Sequence, residues 1–251
     1  MENYLYAIPS YKRENKQVTL EYLSRLGVPK EKIWIFVQTE DDLRAYHKHE
    51  DRAKLVFMKA KRGVEARNNI LNRLSGEHNI IMLDDDIKQL YSLRSGKLHR
   101  INARSELAFD FNTCFEQIES LGASMFGVYP VANSFFMSHD ISTKVSVNTV
   151  FGFKRGYKYR YDETFDTKED AELCGRMLWH HLKVVRFNGI AVSADHRKDK
   201  NGYFEKWHHD ENVRCVKQLC SKYPGIFAEQ TGKPWEVRVR IKDERFPDIE
   251  Y

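Results

Sequence analysis

The stretch Ile80-Ile81-Met82-Leu83-Asp84-Asp85-Asp86 runs four apolar residues directly into three carboxylates. A short apolar run that stops at a polar cluster predicts a buried strand. Adjacent aspartates repel, and each raises the pKa of its neighbours. Such a cluster is either a solvated acidic turn or a site for a hard divalent cation. The cation takes carboxylate oxygens as ligands and can bridge a diphosphate. The apolar lead-in favours the cation.

Toward the N-terminus, strand and helix patterns alternate. Residues 4–8 form an apolar run that stops at Pro9. Residues 19–26 have helical spacing and end at Gly27. Residues 33–37 are continuously apolar, as in a parallel strand covered on both faces. Residues 41–47 predict a helix, 55–58 a strand, and 64–74 a helix stopped by Ser75-Gly76. This alternation predicts an α/β sheet wound in the Rossmann manner. Ligands of such sheets sit at the C-terminal ends of the strands. Three of those ends carry polar clusters: Pro9-Ser10-Tyr11-Lys12-Arg13, Gln38-Thr39-Glu40 and the aspartate triplet.

Toward the C-terminus, residues 105–121 and 169–181 predict helices, and 123–128, 145–154 and 182–192 predict strands. In the tail, Val237, Val239 and Ile241 alternate with Arg238, Arg240 and Lys242, which predicts a strand with one basic face. The expected division is one domain over 1–232 and a C-terminal extension over 233–251.

Composition narrows the class. The 251 residues are 41% hydrophobic, enough for a core, and 31% charged without a long single-sign block, which argues against disorder. The net charge of +5 suits an ordinary enzyme or one with a polyanionic partner. Cys114, Cys174, Cys215 and Cys220 show no CxxC spacing, which speaks against structural zinc and for a reducing compartment. The N-terminus lacks a signal-peptide pattern, and no run approaches the ~18 apolar residues of a membrane span. The expectation is a cytoplasmic protein with an acceptor inside the cell.

Other clusters carry candidate chemistry. In Gly63-Val64-Glu65-Ala66-Arg67-Asn68, Gly63 permits close backbone approach, Arg67 suits a phosphate, and Asn68 suits a sugar or base edge; a plain amphipathic helix start explains them equally. Glu169 and Asp170 open a helix, where the dipole favours acids, or they supply a general base. His196 and His208 are metal-ligand candidates or surface histidines. Residues 154–161 interleave Lys154, Arg155 and Lys158 with Tyr157, Tyr159 and Tyr161, which fits a nucleic-acid contact or a surface hairpin. Trp207 is a further stacking candidate.

In their order along the chain these elements resemble the GT-A glycosyltransferases. The matching features are the nucleotide-binding half-sheet, the acidic triplet after its fourth strand, Gly152 between Phe151 and Phe153, the Glu169-Asp170 pair and a late histidine. Within that group the chain is most similar to the TET-associated DNA-base glycosyltransferases of phages, through Pro9-Ser10-Tyr11-Lys12-Arg13, the triplet and Lys168-Glu169-Asp170. The resemblance implies a nucleotide-sugar donor such as UDP-sugar, bound by Pro9, Ser10, Tyr11, Arg13, Gln38, Gly63, Arg67, Asn68, Asp84 and Asp85. It implies Mn2+ or Mg2+ on Asp84, Asp86 and His196, and catalysis by Asp170 with Glu169. The acceptor it implies is a 5-hydroxymethylpyrimidine in phage DNA, held by Lys154, Arg155, Tyr157, Lys158 and Trp207. The same carboxylates and basic surface also suit a metal-dependent nuclease or nucleotidyltransferase. A non-enzymatic DNA-binding module is a further alternative, as is a transferase with a protein or small-molecule acceptor.

Overall fold

The computed structural model describes residues 3–195 and 206–241; for residues 206–208 it describes backbone only. A mixed ten-stranded sheet runs through the molecule in the order β3 (54–57), β2 (33–37), β1 (4–10), β4 (79–83), β9 (150–153), β7 (125–129), β10 (185–194), β5 (87–94), β6 (97–100), with β8 (141–142) beside β10. Its parallel half contains β1 (Tyr4–Ser10), β2 (Ile33–Val37), β3 (Lys54–Phe57) and β4 (Asn79–Leu83). Three helices connect these strands: α1 (Val18–Arg25), α2 (Glu40–Tyr46) and α3 (Gly63–Leu74).

Strands β1, β2 and β4 read as largely continuous apolar runs because the sheet is covered on both faces there, whereas β3, at the edge, has no buried residue. Tyr4, Tyr6, Ile8, Ile81 and Leu83 pack on one side, with α1 and the long helix α4 (Arg104–Ser120). Leu5, Ala7, Ile80 and Met82 pack on the other, with α3, α5 (Glu169–Trp179) and α6 (Lys206–Lys222).

Beyond β4 the sheet is mixed. The strand β9 (Val150–Phe153) runs antiparallel to β4, pairing Leu83 with Val150 and Ile80 with Phe153. Next come β7 (Met125–Tyr129), antiparallel to β9, and β10 (Val185–Ala194), parallel to β7. The short β8 (Ile141–Ser142) pairs with β10. A hairpin of β5 (Ile87–Arg94) and β6 (Lys97–Arg100) closes that side. Sequence patterning does not predict this hairpin, although Ser95-Gly96 is a turn dipeptide and both residues have positive φ, 49° and 72°.

The strand expected over 145–154 is shorter. Thr149 has φ 65° and the Val150 amide donates to the Asn148 carbonyl, a three-residue turn that starts the strand at Val150. In the tail, β11 (Phe227–Gln230) and β12 (Lys233–Val239) form a hairpin turning at Gly232. Val237, Val239 and Ile241 pack toward the core while Arg238 and Arg240 are exposed, as the alternation predicts. Lys242 and the rest of the tail lie outside the described residues. Among the described residues no helix is long and apolar enough to cross a membrane.

Candidate active site at the acidic strand end

The aspartate triplet leaves β4 at the C-terminal end of the parallel strands. Its backbone is pinned on several sides. The Asp84 amide donates to the Thr149 carbonyl (3.2 Å), the Asp195 amide to the Asp86 carbonyl (3.0 Å), and the Thr19 amide to the Asp85 carbonyl (3.2 Å). The Thr19 hydroxyl donates to the Asp84 carbonyl and accepts from the Ile87 amide. Alternation then sends the side chains different ways.

Asp85 turns toward the end of β1. It accepts from the Ser10 hydroxyl at 2.6 Å and from Arg13 Nη1 at 2.8 Å. Ser10 also accepts from Gln17 Nε2 (2.8 Å) and lies 2.7 Å from the Tyr46 hydroxyl, which accepts the Arg13 amide. Burial pushes the Asp85 carboxyl up to about 6; Arg13 and Ser10 oppose that rise, while Asp84 and Asp86 add to it. This network organises Pro9-Ser10-Tyr11-Lys12-Arg13, where Lys12 has φ 53°. Gln17 and Tyr46 are the members that sequence patterning misses. They lie on or beside α1 and α2, and buried polar partners leave no periodic signal.

Asp84 turns toward α3 and α5. Arg67 Nη2 donates to Asp84 Oδ1 at 2.7 Å, and Arg67 Nε lies 3.8 Å from Glu169 Oε1. The guanidinium also lies 5.9 Å from the ring centres of Phe151 and Tyr161. Burial raises the carboxyls of Glu169 and Asp170, Asp170 well above the ordinary value; Arg67 offsets this, Asp84 reinforces it in both, and Glu169 reinforces it in Asp170. The buried Asp170 Oδ1 has no hydrogen-bond partner. Lys168, just before this pair, sits in the left-handed region at φ 63°. Positive φ at a bulky residue is costly and is found at functional sites.

The structure thus brings Ser10, Arg13, Arg67, Asp84, Asp85, Asp86, Glu169 and Asp170 to one sheet end. Tyr11 is exposed beside them, and Gln38 is buried at the end of β2. Asn68 is spent on the protein: it donates to the Tyr161 carbonyl and Glu163 and accepts the Tyr161 amide. A Cβ on Gly63 would meet nothing within 4 Å, so nothing in the fold demands glycine there. A Cβ on Gly152 would lie 1.9 Å from the Phe126 ring, so that glycine serves packing between β9 and β7.

The basic and aromatic segment after β9 lies elsewhere. Because β9 is antiparallel to β4, Lys154 and Arg155 come out at the start of β4, opposite the triplet. The Arg155 amide donates to Asn79 Oδ1, and Lys154 pairs with Glu119. The Tyr157 ring is buried, its hydroxyl donating to the sulfurs of Met125 and Met177, so it is not available to stack on a base. Lys158 is exposed on the same segment. His196 lies outside the described residues, as do the side chains of Trp207 and His208.

Among the described residues no three His, Cys, Asp or Glu side chains converge as a metal cluster. The donor chemistry nevertheless fits a hard cation. Asp84, Asp85, Asp86, Glu169 and Asp170 crowd one strand end against Arg13 and Arg67, and the acids with resolved shifts have raised pKa values. A divalent ion bound there would relieve that repulsion.

The family described as TET-Associated Glycosyltransferase matches residues 5–203. No curated protein matches the chain. Among solved structures, S. aureus TarS 1–349 in complex with UDP is similar at TM-score 0.51 and 12% identity, over 87% of this chain and 65% of that one. A mycobacterial protein is similar at TM-score 0.52 and 10% identity, over 97% of this chain and 88% of that one. At these identities the likeness is one of fold, and the chain spans 65% of the TarS fragment's length. The fold is the α/β nucleotide-sugar transferase arrangement, GT-A, with its mixed sheet flanked by helices.

Proposed function

The chain belongs to the TET-associated glycosyltransferase family, and we propose that it moves a sugar from a nucleotide-sugar, a UDP-sugar, to a hydroxyl on DNA. The acceptor in this reading is the 5-hydroxymethyl group of a pyrimidine. One observation carries the proposal: Arg67 links the triplet, through Asp84, to the Glu169-Asp170 pair on α5. A donor-side acid and an acceptor-side base thereby share one buried cation. UDP in the crystal structure of TarS, whose fold is similar, supports the choice of nucleotide.

The nucleotide lies over the ends of β1 and β2, above the Ser10–Asp85–Arg13 network. Mn2+ or Mg2+ on Asp84 and Asp86 would neutralise charge on the departing diphosphate. Asp170 takes the proton of the acceptor hydroxyl in a reaction that inverts the anomeric centre. Its burial raises its pKa, the direction that makes its carboxylate a stronger base. In a retaining reaction Asp170 orients the acceptor. The acceptor hydroxymethyl lies in the major groove of a duplex, so a single strand or a flipped base meets the site best.

The test is to incubate the protein with Mn2+, a panel of nucleotide-sugars and hydroxymethylated DNA, then weigh the digested nucleosides. A hexose or pentose added to the modified base supports the reading. A cut strand or a consumed nucleoside triphosphate replaces it with nuclease or nucleotidyltransferase chemistry.

A further inference from the structure

The segment that follows the triplet carries a basic surface. From Ile87 to Ser105 the sequence contains Lys88, Arg94, Lys97, His99, Arg100 and Arg104 and no Asp or Glu. The structure folds most of this segment into the β5–β6 hairpin, whose first residue directly follows Asp86 and whose second strand is an edge of the sheet among the described residues. Lys97, His99 and Arg100 are exposed there. Lysine on an edge strand also guards against edge-to-edge pairing. That purpose does not call for what lies beside it.

Register places Arg100 opposite Tyr91, and Leu98 opposite Leu93. Leu93 and Leu98 pack against Met137, Ala191 and Tyr129. Met137 anchors the loop that leaves β7, and the two residues before it are Phe135 and Phe136, exposed to 85% and 62%. Their rings form an edge-to-face pair 5.0 Å apart. The backbone holds them outward: the Phe135 amide donates to Asn133 Oδ1 (3.0 Å) and the Phe136 amide to the Asn133 carbonyl (3.1 Å). Because β7 runs parallel to β4, this loop emerges toward the sheet end that bears the triplet.

We propose that the β5–β6 hairpin and the Phe135–Phe136 loop together form a binding surface for single-stranded nucleic acid, with Lys97 and Arg100 on phosphates and the two phenylalanines stacked on bases. Exposed cations beside outward-held aromatic rings are the pairing such a strand needs. Lys97 lies at the hairpin turn opposite Arg94 and Arg100 lies opposite Tyr91, so a strand that follows β6 from Lys97 to Arg100 runs back toward the end where β5 follows Asp86. The inference rests on the DNA reading for its purpose, but binding is measurable without any transfer reaction.

The experiment is fluorescence anisotropy of a labelled 20-nucleotide thymidine oligomer against the full chain, across a salt series. Wild type should bind, and Lys97→Ala with Arg100→Ala should weaken binding at least tenfold. That pair should also flatten the plot of log affinity against log salt by about 1.4, two contacts at roughly 0.7 each for a single strand. Phe135→Ala with Phe136→Ala should weaken binding about tenfold and leave that slope unchanged, because stacking releases no counterions. A Lys154→Ala, Arg155→Ala control at the far end of β4 should bind as wild type. The inference is overturned if wild type does not bind the oligomer at 50 mM salt. Equal binding by the hairpin and loop variants, or an equal loss in the control, overturns it too, as does a phenylalanine variant that merely dissociates a dimer in sedimentation. If the oligomer binds as described but no nucleotide-sugar modifies hydroxymethylated DNA, the surface stands and the transfer chemistry falls.

Discussion

Arg67 donates to Asp84 across 2.7 Å from the middle of α3, and the same guanidinium faces Glu169 and Asp170 on α5. Three carboxylates on two elements therefore face one cation with little solvent around it, and Lys168 opposes the charge of Glu169 and Asp170 to a lesser degree. Removing a buried partner leaves its counter-charges uncompensated, at a cost of about 3–5 kcal/mol. Arg67→Ala should lower the unfolding midpoint in urea by a corresponding amount and abolish transfer. Arg67→Lys should keep most of the stability while losing turnover, since an ammonium does not span both acids as the planar fork does. Adding Asp170→Asn to Arg67→Ala should recover part of the lost stability, and strict additivity of the two changes would show that the groups do not interact.

Metal dependence is a separate prediction. A ligand that binds only the folded state stabilises it by about 2.7 kcal/mol at one hundred times its dissociation constant. Mn2+ with UDP should raise the thermal midpoint of wild type, and EDTA should reverse the rise. Asp84→Asn and Asp86→Asn should each remove most of the shift without unfolding the protein, because neutralising one carboxylate relieves repulsion in the apo cluster. Calorimetry reads the outcome directly: an undiminished Mn2+ shift in both variants rules out these aspartates as ligands.

Much of the parallel half of the sheet was legible in the sequence, for physical reasons. The strand Ile33–Val37 is apolar at every position because both faces of the sheet are covered, and the triplet follows Leu83 without a break. The β5–β6 hairpin was not legible. Its residues alternate poorly, with Ile87 and Leu90 both reaching the core around an irregularity where β5 meets β10. The basic segment after Phe153 misled for a different reason. Composition reports charge and rings, whereas the antiparallel direction of β9 decides that Lys154 lies at the far end of β4. Asn68 misled likewise, since only the fold shows that its amide is occupied by the backbone of Tyr161.

Packing between β9 and β7 gives a third test. The Gly152 position faces the Phe126 ring so closely that any Cβ collides with it. Phe126 is fully buried, with its ring 5.2–6.4 Å from the rings of Phe111, Phe115 and Phe187. Gly152→Ala should cost about 3 kcal/mol, the upper range for overpacking a core. Trimming the ring with Phe126→Leu in the same chain should make the alanine cheaper than it is alone. If the alanine costs the same in both backgrounds, the two positions do not contact each other.

Asp110 on α4 offers a pH test remote from the triplet. Burial pushes its carboxyl up to about 6 from 3.8; Arg94 opposes the rise, Glu106 adds to it, and Oδ2 has no hydrogen-bond partner. A carboxyl whose pKa is higher in the folded state than in the unfolded chain binds protons more tightly when folded. Its contribution to stability is therefore complete below about pH 3.8 and is lost as pH rises through 6. The shift corresponds to roughly 3 kcal/mol at full burial, and partial exposure of the side chain reduces this to about 1 kcal/mol. Asp110→Asn keeps a neutral side chain of the same shape at every pH. It should unfold at a higher urea concentration than wild type at pH 8, and the gap should close as the pH falls toward 4. A gap that is constant across that range would mean that Asp110 does not titrate between the two states.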